Sequence, residues 1–172
     1  MRSRLHSALA LVALATLPLQ ARADARTSHT VMGPPWISIE SPANPFNKET
    51  KGALLVVRVY HHGEASFYPV TGTAEGLVAG QRQTIKLEFT GTSTPGMYAL
   101  KFKKPAEGNW ILVISAGSDP DKHGLVTALV SLGSDGAVAS VQVPTRQEGQ
   151  WLMPAAVSEA DINVRLKEMS AA

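Results

Sequence analysis

The chain has 172 residues, no cysteine, and 16 Lys and Arg residues against 14 Asp and Glu. Without cysteine there is no thiol catalysis, no cysteine-based zinc site and no iron–sulfur cluster. Residues 1–23 contain three arginines and no acidic residue, so the rest of the chain has 13 basic and 14 acidic residues, a net charge of −1. This near-neutral charge argues against nucleic acid or an anionic membrane as the partner.

Residues 1–23 predict a secretory signal peptide. Arg2 and Arg4 precede an apolar run over residues 9–19, and a small-residue cleavage frame ends at Ala23. A bilayer-spanning helix needs about 20 apolar residues, so this run is short for a span, and an uncleaved N-terminal anchor is the alternative. We therefore expect export to the periplasm or the extracellular space, with no membrane span after cleavage.

Residues 24–35 have the composition of a tether, and residues 36–156 alternate short β-rich segments with turn residues. Apolar and charged residues alternate over 85–89, which is typical of a strand with one buried face. Residues 110–114 are apolar throughout, as expected for a strand covered on both sides. The predicted strands are 36–40, 53–61, 70–78, 82–90, 97–103, 109–115, 125–132 and 137–143, with 70–78 and 82–90 paired as a hairpin. About 7–8 antiparallel strands at this spacing predict an all-β fold, a single immunoglobulin-like β-sandwich.

Residues 157–172 predict a short C-terminal helix and tail. Ser158 and Asp161 have the spacing of a capping box, and Val157 and Ile162 have that of a hydrophobic staple. Ile162, Leu166 and Met169 form one apolar stripe on a helix over 159–169. Such a helix either packs on the sandwich, covering an edge or an open end, or binds a partner.

Two segments carry a family resemblance. Residues 95–100 read Pro-Gly-Met-Tyr-Ala-Leu, and residues 108–114 read Gly-Asn-Trp-Ile-Leu-Val-Ile. Together they resemble the YtkA-like and FixH-like extracytoplasmic sandwich domains over about residues 54–132. The resemblance implies an immunoglobulin-like domain associated with membrane or respiratory-complex assembly and in some cases with copper handling, rather than an enzyme.

His61 and His62 are the most pointed candidates for a metal site. Side chains alternate along a strand, so the two imidazoles are expected to point to opposite faces, and a shared metal would need a bulge or distant ligands. Those distant ligands could come from histidines or methionines, which suit copper in an oxidising compartment: His29, His123, Met32, Met97 or Met153. A periplasmic metal-handling protein is therefore the alternative function.

The first functional hypothesis is a non-enzymatic exported domain that binds another extracytoplasmic protein. Its candidate surface is the loop from Tyr60 to Pro69, with Tyr60, Phe67 and Tyr68 as contact residues. Trp36 and Trp151 either close the ends of the core or add to such a surface. No catalytic motif is present, and no cofactor is predicted. Four acidic residues could supply paired catalytic carboxylates, but most of the four are expected to face solvent: Glu40, Glu75, Glu88 and Asp119.

Overall fold

Strands dominate the computed structural model, which describes residues 35–117 and 124–171. The predicted signal peptide lies outside these residues, as does the predicted tether apart from Pro35. The described elements are β1 (Trp36–Glu40), β2 (Leu55–His61), β3 (Glu64–Ala65), β4 (Val70–Val78), β5 (Gln81–Lys86), β6 (Phe89–Gly91), β7 (Met97–Leu100), β8 (Asn109–Ala116), β9 (Val126–Leu132), β10 (Val138–Gln142), β11 (Thr145–Glu148), β12 (Trp151–Pro154) and α1 (Glu159–Ala171). No helix in this part of the chain is long and apolar enough to cross a membrane.

The strands form two five-stranded antiparallel sheets and a separate hairpin. The first sheet has the order β1-β2-β7-β6. The short strand β3 pairs with the last two residues of β2, on the same side of β2 as β7. The second sheet has the order β10-β9-β8-β4-β5, and β11 pairs only with β12 among the described strands. The predicted all-β class, with antiparallel sheets and one short C-terminal helix, is confirmed.

Both sheets contribute side chains to one hydrophobic core. From β8, alternate residues Trp110, Leu112 and Ile114 enter this core and expose none of their surface. The indole Nε1–H of Trp110 donates to the carbonyl oxygen of Glu107 over 2.8 Å, which satisfies its one polar group. From the first sheet come Ile37, Leu55, Val57, Val59 and Leu100.

The helix covers the opposite face of β8 and β9. Ile162 and Leu166 pack there against Ile111 and Leu129 in a second cluster of buried residues. The prediction that residues 110–114 are covered on both sides is therefore confirmed. The helix packs on the face of the second sheet, however, and not on an edge or an open end as expected.

The predicted start of the helix is confirmed in detail. The Ser158 N–H donates to Asp161 Oδ2 over 2.8 Å, and the Asp161 N–H donates to Ser158 Oγ over 3.3 Å. These two reciprocal bonds are those of a capping box. Val157 and Ile162 both belong to the second cluster, as the staple requires. The helix continues to Ala171, two residues beyond the predicted end.

Residues 82–90 do not form the single strand that their alternation predicts. β5 ends in the second sheet, and β6 belongs to the first. Between them Leu87 is buried, and its N–H donates to the Gly72 carbonyl oxygen over 3.0 Å. Because the apolar alternation continues from β5 into β6, it gives no sign that the chain passes from the second sheet to the first. β11 and β12 were not predicted, because β11 is polar throughout and the short apolar run of β12 does not alternate and ends in proline. With β3 and this division, the described residues hold twelve strands instead of about 7–8.

Candidate functional site

The predicted contact residues lie on the connection from β2 to β4, residues 60–69, called the β2–β4 segment below. It begins at the end of β2 and contains the two-residue strand β3. At its other end the Gly117 N–H, which follows β8, donates to the Pro69 carbonyl oxygen over 3.4 Å. The segment therefore lies beside the start of the β8–β9 connection.

The two histidines lie side by side, and the prediction that they point to opposite faces is wrong. His61 is the last residue of β2 and pairs with Glu64, so His62 and Gly63 form the two-residue turn between β2 and β3. Both turn residues have positive φ, 55° for His62 and 82° for Gly63, which is typical of tight hairpin turns. Strand alternation no longer applies to His62, and its ring centroid lies 4.1 Å from that of His61, with the planes tilted by 40°.

Tyr68 supports His61 from the other end of the segment. The two rings meet edge to face, with their centroids 5.5 Å apart. Tyr68 is partly buried against the main core, and its carbonyl oxygen accepts a hydrogen bond from the Tyr98 hydroxyl over 2.9 Å. Tyr68, one of the three predicted contact residues, therefore packs partly against the core instead of lying wholly on the surface.

The aromatic residues of this region are exposed to different degrees. Trp36 of β1 pairs with Tyr60 of β2, and Tyr60 pairs with Ala65 of β3, so these three side chains share one face of the first sheet. Trp36 is 38% exposed, and Phe67 is 78% exposed. Trp151 is also exposed, but it lies on the separate β11–β12 hairpin, so it does not close the core.

Gly96 fixes where β2 changes partner from β7 to β3. The Val59 N–H donates to the Gly96 carbonyl oxygen over 2.8 Å, and the Val59 carbonyl oxygen accepts from the Ser66 N–H over 2.9 Å. Gly96 has φ +67°, and a Cβ on it would lie 2.7 Å from the carbonyl oxygens of both Ser66 and Val59. Because these are backbone atoms, the close approach requires glycine.

The predicted metal ligands are brought together only in part. His61 and His62 are neighbours, Met97 is buried in β7, and Met153 lies on β12. His29, Met32 and His123 lie outside the described residues. Across residues 35–117 and 124–171, no group of three or more His, Cys, Asp or Glu side chains could hold a metal ion.

Glu75 is a buried charge that the sequence pattern placed in solvent. Its carboxylate accepts from Thr84 Oγ1 over 2.6 Å and from Arg82 Nε over 3.1 Å. Burial raises the pKa of Glu75, but hydrogen bonds from Thr73, Thr84 and Arg82, together with the Arg82 charge, outweigh it and hold the pKa below its usual value. Arg82 also bonds to Asn163 of α1, so the network links the second sheet to the helix.

Comparison of the chain with protein-family models, with curated proteins and with solved structures finds no match.

Proposed function

We propose that the chain is an exported, non-enzymatic binding domain that presents the β2–β4 segment to another extracytoplasmic protein. The observation that carries this proposal is the position of an exposed phenylalanine, Phe67 at 78%, in the segment that lies beside the start of the β8–β9 connection. An exposed phenylalanine adds nothing to the core, whereas aromatic residues at the centre of an interface often carry most of its binding energy. Trp36 and Tyr60, which pair across β1 and β2, place two further aromatic side chains on one face of the first sheet.

The proposal includes an immunoglobulin-like β-sandwich, and the strand orders support it. The order β1-β2-β7-β6 corresponds to strands A, B, E and D of an immunoglobulin domain, and β9-β8-β4-β5 corresponds to G, F, C and C′. β10 is then an additional edge strand. The buried tryptophan lies on the F-like strand β8 instead of the C-like strand, and there is no disulfide, so the correspondence concerns strand order and not the antibody signature residues.

This correspondence explains why the β2–β4 segment is the surface proposed. It takes the place of the B–C loop, and the β8–β9 connection takes that of the F–G loop. Those two loops lie at the same end of an immunoglobulin-like domain, and in antibodies they bind the antigen. The hydrogen bond from Gly117 to Pro69 joins the two connections here.

Export rests on residues 1–23, whose basic start, apolar run and small-residue frame support a cleaved signal peptide. Fractionation of the native cells tests it: the chain should be recovered from the periplasm or the medium, without residues 1–23 in its intact mass. A cytoplasmic chain that retains these residues would contradict the proposed compartment.

Binding is tested by placing a photo-reactive phenylalanine derivative at position 67 and irradiating the native cells. We expect a covalent adduct with one extracytoplasmic protein. Phe46 provides the matched control, because it is also a phenylalanine, is 92% exposed, and lies in the β1–β2 connection instead of the β2–β4 segment. The proposal fails if position 67 gives no adduct, or if both positions give the same set.

Once the adduct is identified, the affinity of that protein for Phe67→Ser and Phe46→Ser variants measures the contribution of the ring. Loss of a central aromatic contact weakens binding by roughly 30-fold or more, about 2 kcal/mol. We expect this loss for Phe67→Ser and an unchanged affinity for Phe46→Ser. An equal loss in both variants would show that neither phenylalanine defines the binding surface.

A further inference from the structure

We infer that the His61–His62 turn is a two-histidine binding site for one divalent metal ion, Cu²⁺ ahead of Zn²⁺. Two vicinal histidines in a regular strand would point to opposite faces and could not share an ion. Here His62 leaves the strand with a positive φ, and its ring centroid lies 4.1 Å from that of His61. The turn therefore provides the bulge that a shared ion requires.

The spacing of the rings fits a chelate. A metal ion bound at a typical distance of ~2.0 Å from an imidazole nitrogen lies roughly 3.1 Å from the ring centroid. Two imidazoles that meet at a right angle at one ion therefore have centroids about 4.4 Å apart. The observed 4.1 Å differs from that value by a few tenths of an ångström, so the separation of the two rings is compatible with binding to one ion.

The surroundings favour a site that is held in place but open on one side. The ring of Tyr68 packs edge to face against that of His61, with 5.5 Å between the centroids, and this contact restricts the orientation of His61. His62 is exposed on the turn, so an ion can approach from solvent. Two ligands from the protein leave the other coordination positions to water or to a donor group from another molecule.

The choice of ion follows from the ligands. Neutral imidazole binds Cu²⁺ and Zn²⁺, and a given nitrogen site prefers Cu²⁺. A tetragonal Cu²⁺ ion also accepts two nitrogens at a right angle, which is the arrangement that the ring spacing fits. This inference does not depend on the proposed protein partner, because the chain alone should bind the ion.

The test is calorimetric titration of the chain without residues 1–23, with Cu²⁺ and with Zn²⁺. Electron paramagnetic resonance of the copper-loaded protein accompanies it. Two variants remove one ligand each while keeping the local structure. His61→Phe retains an aromatic ring against Tyr68, and His62→Asn retains a residue that tolerates positive φ. His29→Ala and His123→Ala are controls for the histidines outside the described residues.

We expect one Cu²⁺ per chain, with hyperfine splitting from two nitrogens and tighter binding than Zn²⁺. Each of His61→Phe and His62→Asn should weaken Cu²⁺ binding at least tenfold and remove one nitrogen from the spectrum. The two controls should bind as the unaltered chain does. The inference is overturned if the chain binds no Cu²⁺ at micromolar concentration, or if the His61→Phe/His62→Asn double variant binds it unchanged. Binding lost in a control variant would instead assign the ion to that histidine. Since none of these outcomes involves position 67, failure here leaves the proposed protein-binding surface untouched.

Discussion

Gly76 of β4 lies directly opposite Trp110 of β8, and the indole ring occupies the space that a side chain at position 76 would need. A Cβ on Gly76 would lie 2.7 to 2.8 Å from three carbon atoms of that ring. Trp110 is fully buried, so the ring has no open space into which it could move. The bulkiest residue of the core is thus accommodated by the absence of a side chain on the neighbouring strand.

Gly76→Ala should therefore lower the free energy of unfolding by roughly 1–3 kcal/mol, the usual cost of overpacking a core. Urea denaturation followed by tryptophan fluorescence measures this change. Gly91→Ala is the matched control, because Gly91 is also a strand glycine and its Cβ would lie 3.9 to 4.0 Å from the ring of Tyr98. We expect a change within about 0.5 kcal/mol for the control. Equal effects would show that contact with Trp110 is not the cause.

Gly96→Ala should destabilise the chain through both its backbone angle and a steric clash. The alanine would have to adopt φ near +67° and place its Cβ against the carbonyl oxygens of Val59 and Ser66. Gly52→Ala separates the two effects, because Gly52 has φ +76° but nothing within 4 Å of its Cβ position. The angle alone costs ~1–2 kcal/mol, so Gly96→Ala should lose measurably more stability than Gly52→Ala. An equal loss in chemical denaturation would mean that the contact at Val59 and Ser66 relaxes.

Features set by neighbours along the chain could be predicted from the sequence. The capping box at Ser158 and the apolar stripe through Leu166 involve residues within two or three turns of one helix, and the helix lies where they place it. The apolar run around Trp110 likewise predicts a strand that is buried on both faces. In these cases the local pattern and the packed environment specify the same structure.

Features that depend on the choice of strand partner could not be predicted in the same way. Alternation through Leu87 continues while the chain passes from one sheet to the other, so the pattern contains no sign of the break. His62 leaves the strand because β3 turns back on β2, and β3 has only two residues. Glu75 alternates like a solvent-facing residue, yet Arg82 and Thr84 on the adjoining strand surround its carboxylate. The position of His62 beside His61 therefore could not be predicted from the sequence, because it depends on the pairing of β3 with β2.

The Glu75 network should make stability depend on pH in the acid range. The pKa of Glu75 is lowered in the folded chain from its usual 4.5, so its contribution to stability is present above that value. The contribution is lost as the pH falls through the lower, folded-state pKa. Glu75→Gln removes the charge, so it should cost roughly 1–3 kcal/mol at neutral pH and make the decline of stability below pH 4.5 shallower.

Thermal unfolding of the unaltered chain and of Glu75→Gln, from neutral pH to about pH 3, measures how steeply the stability of each falls with pH. Glu148→Gln is the control, since Glu148 also pairs with an arginine, Arg146, but its side chain is 62% exposed. An exposed pair contributes at most about 1 kcal/mol, and we expect a correspondingly small change. Parallel pH profiles for the unaltered chain and Glu75→Gln would exclude Glu75 as a source of the acid dependence.

The contribution of α1 to stability should come from its buried side. Leu166 is 1% exposed and packs against the second sheet, whereas Val164, two residues earlier on the same helix, is 56% exposed. Leu166→Ala should lower the free energy of unfolding by about 2–5 kcal/mol, because it removes core contacts and leaves a cavity. Val164→Ala should change it by no more than about 0.5 kcal/mol, with the higher helix propensity of alanine offsetting the lost methyl groups. Urea denaturation of the two variants makes the comparison directly. A large loss of stability in Val164→Ala would indicate that the exposed side of α1 makes a contact in solution, such as with a second copy of the chain. Unfolding that depends on protein concentration would then show that the contact is with a second copy.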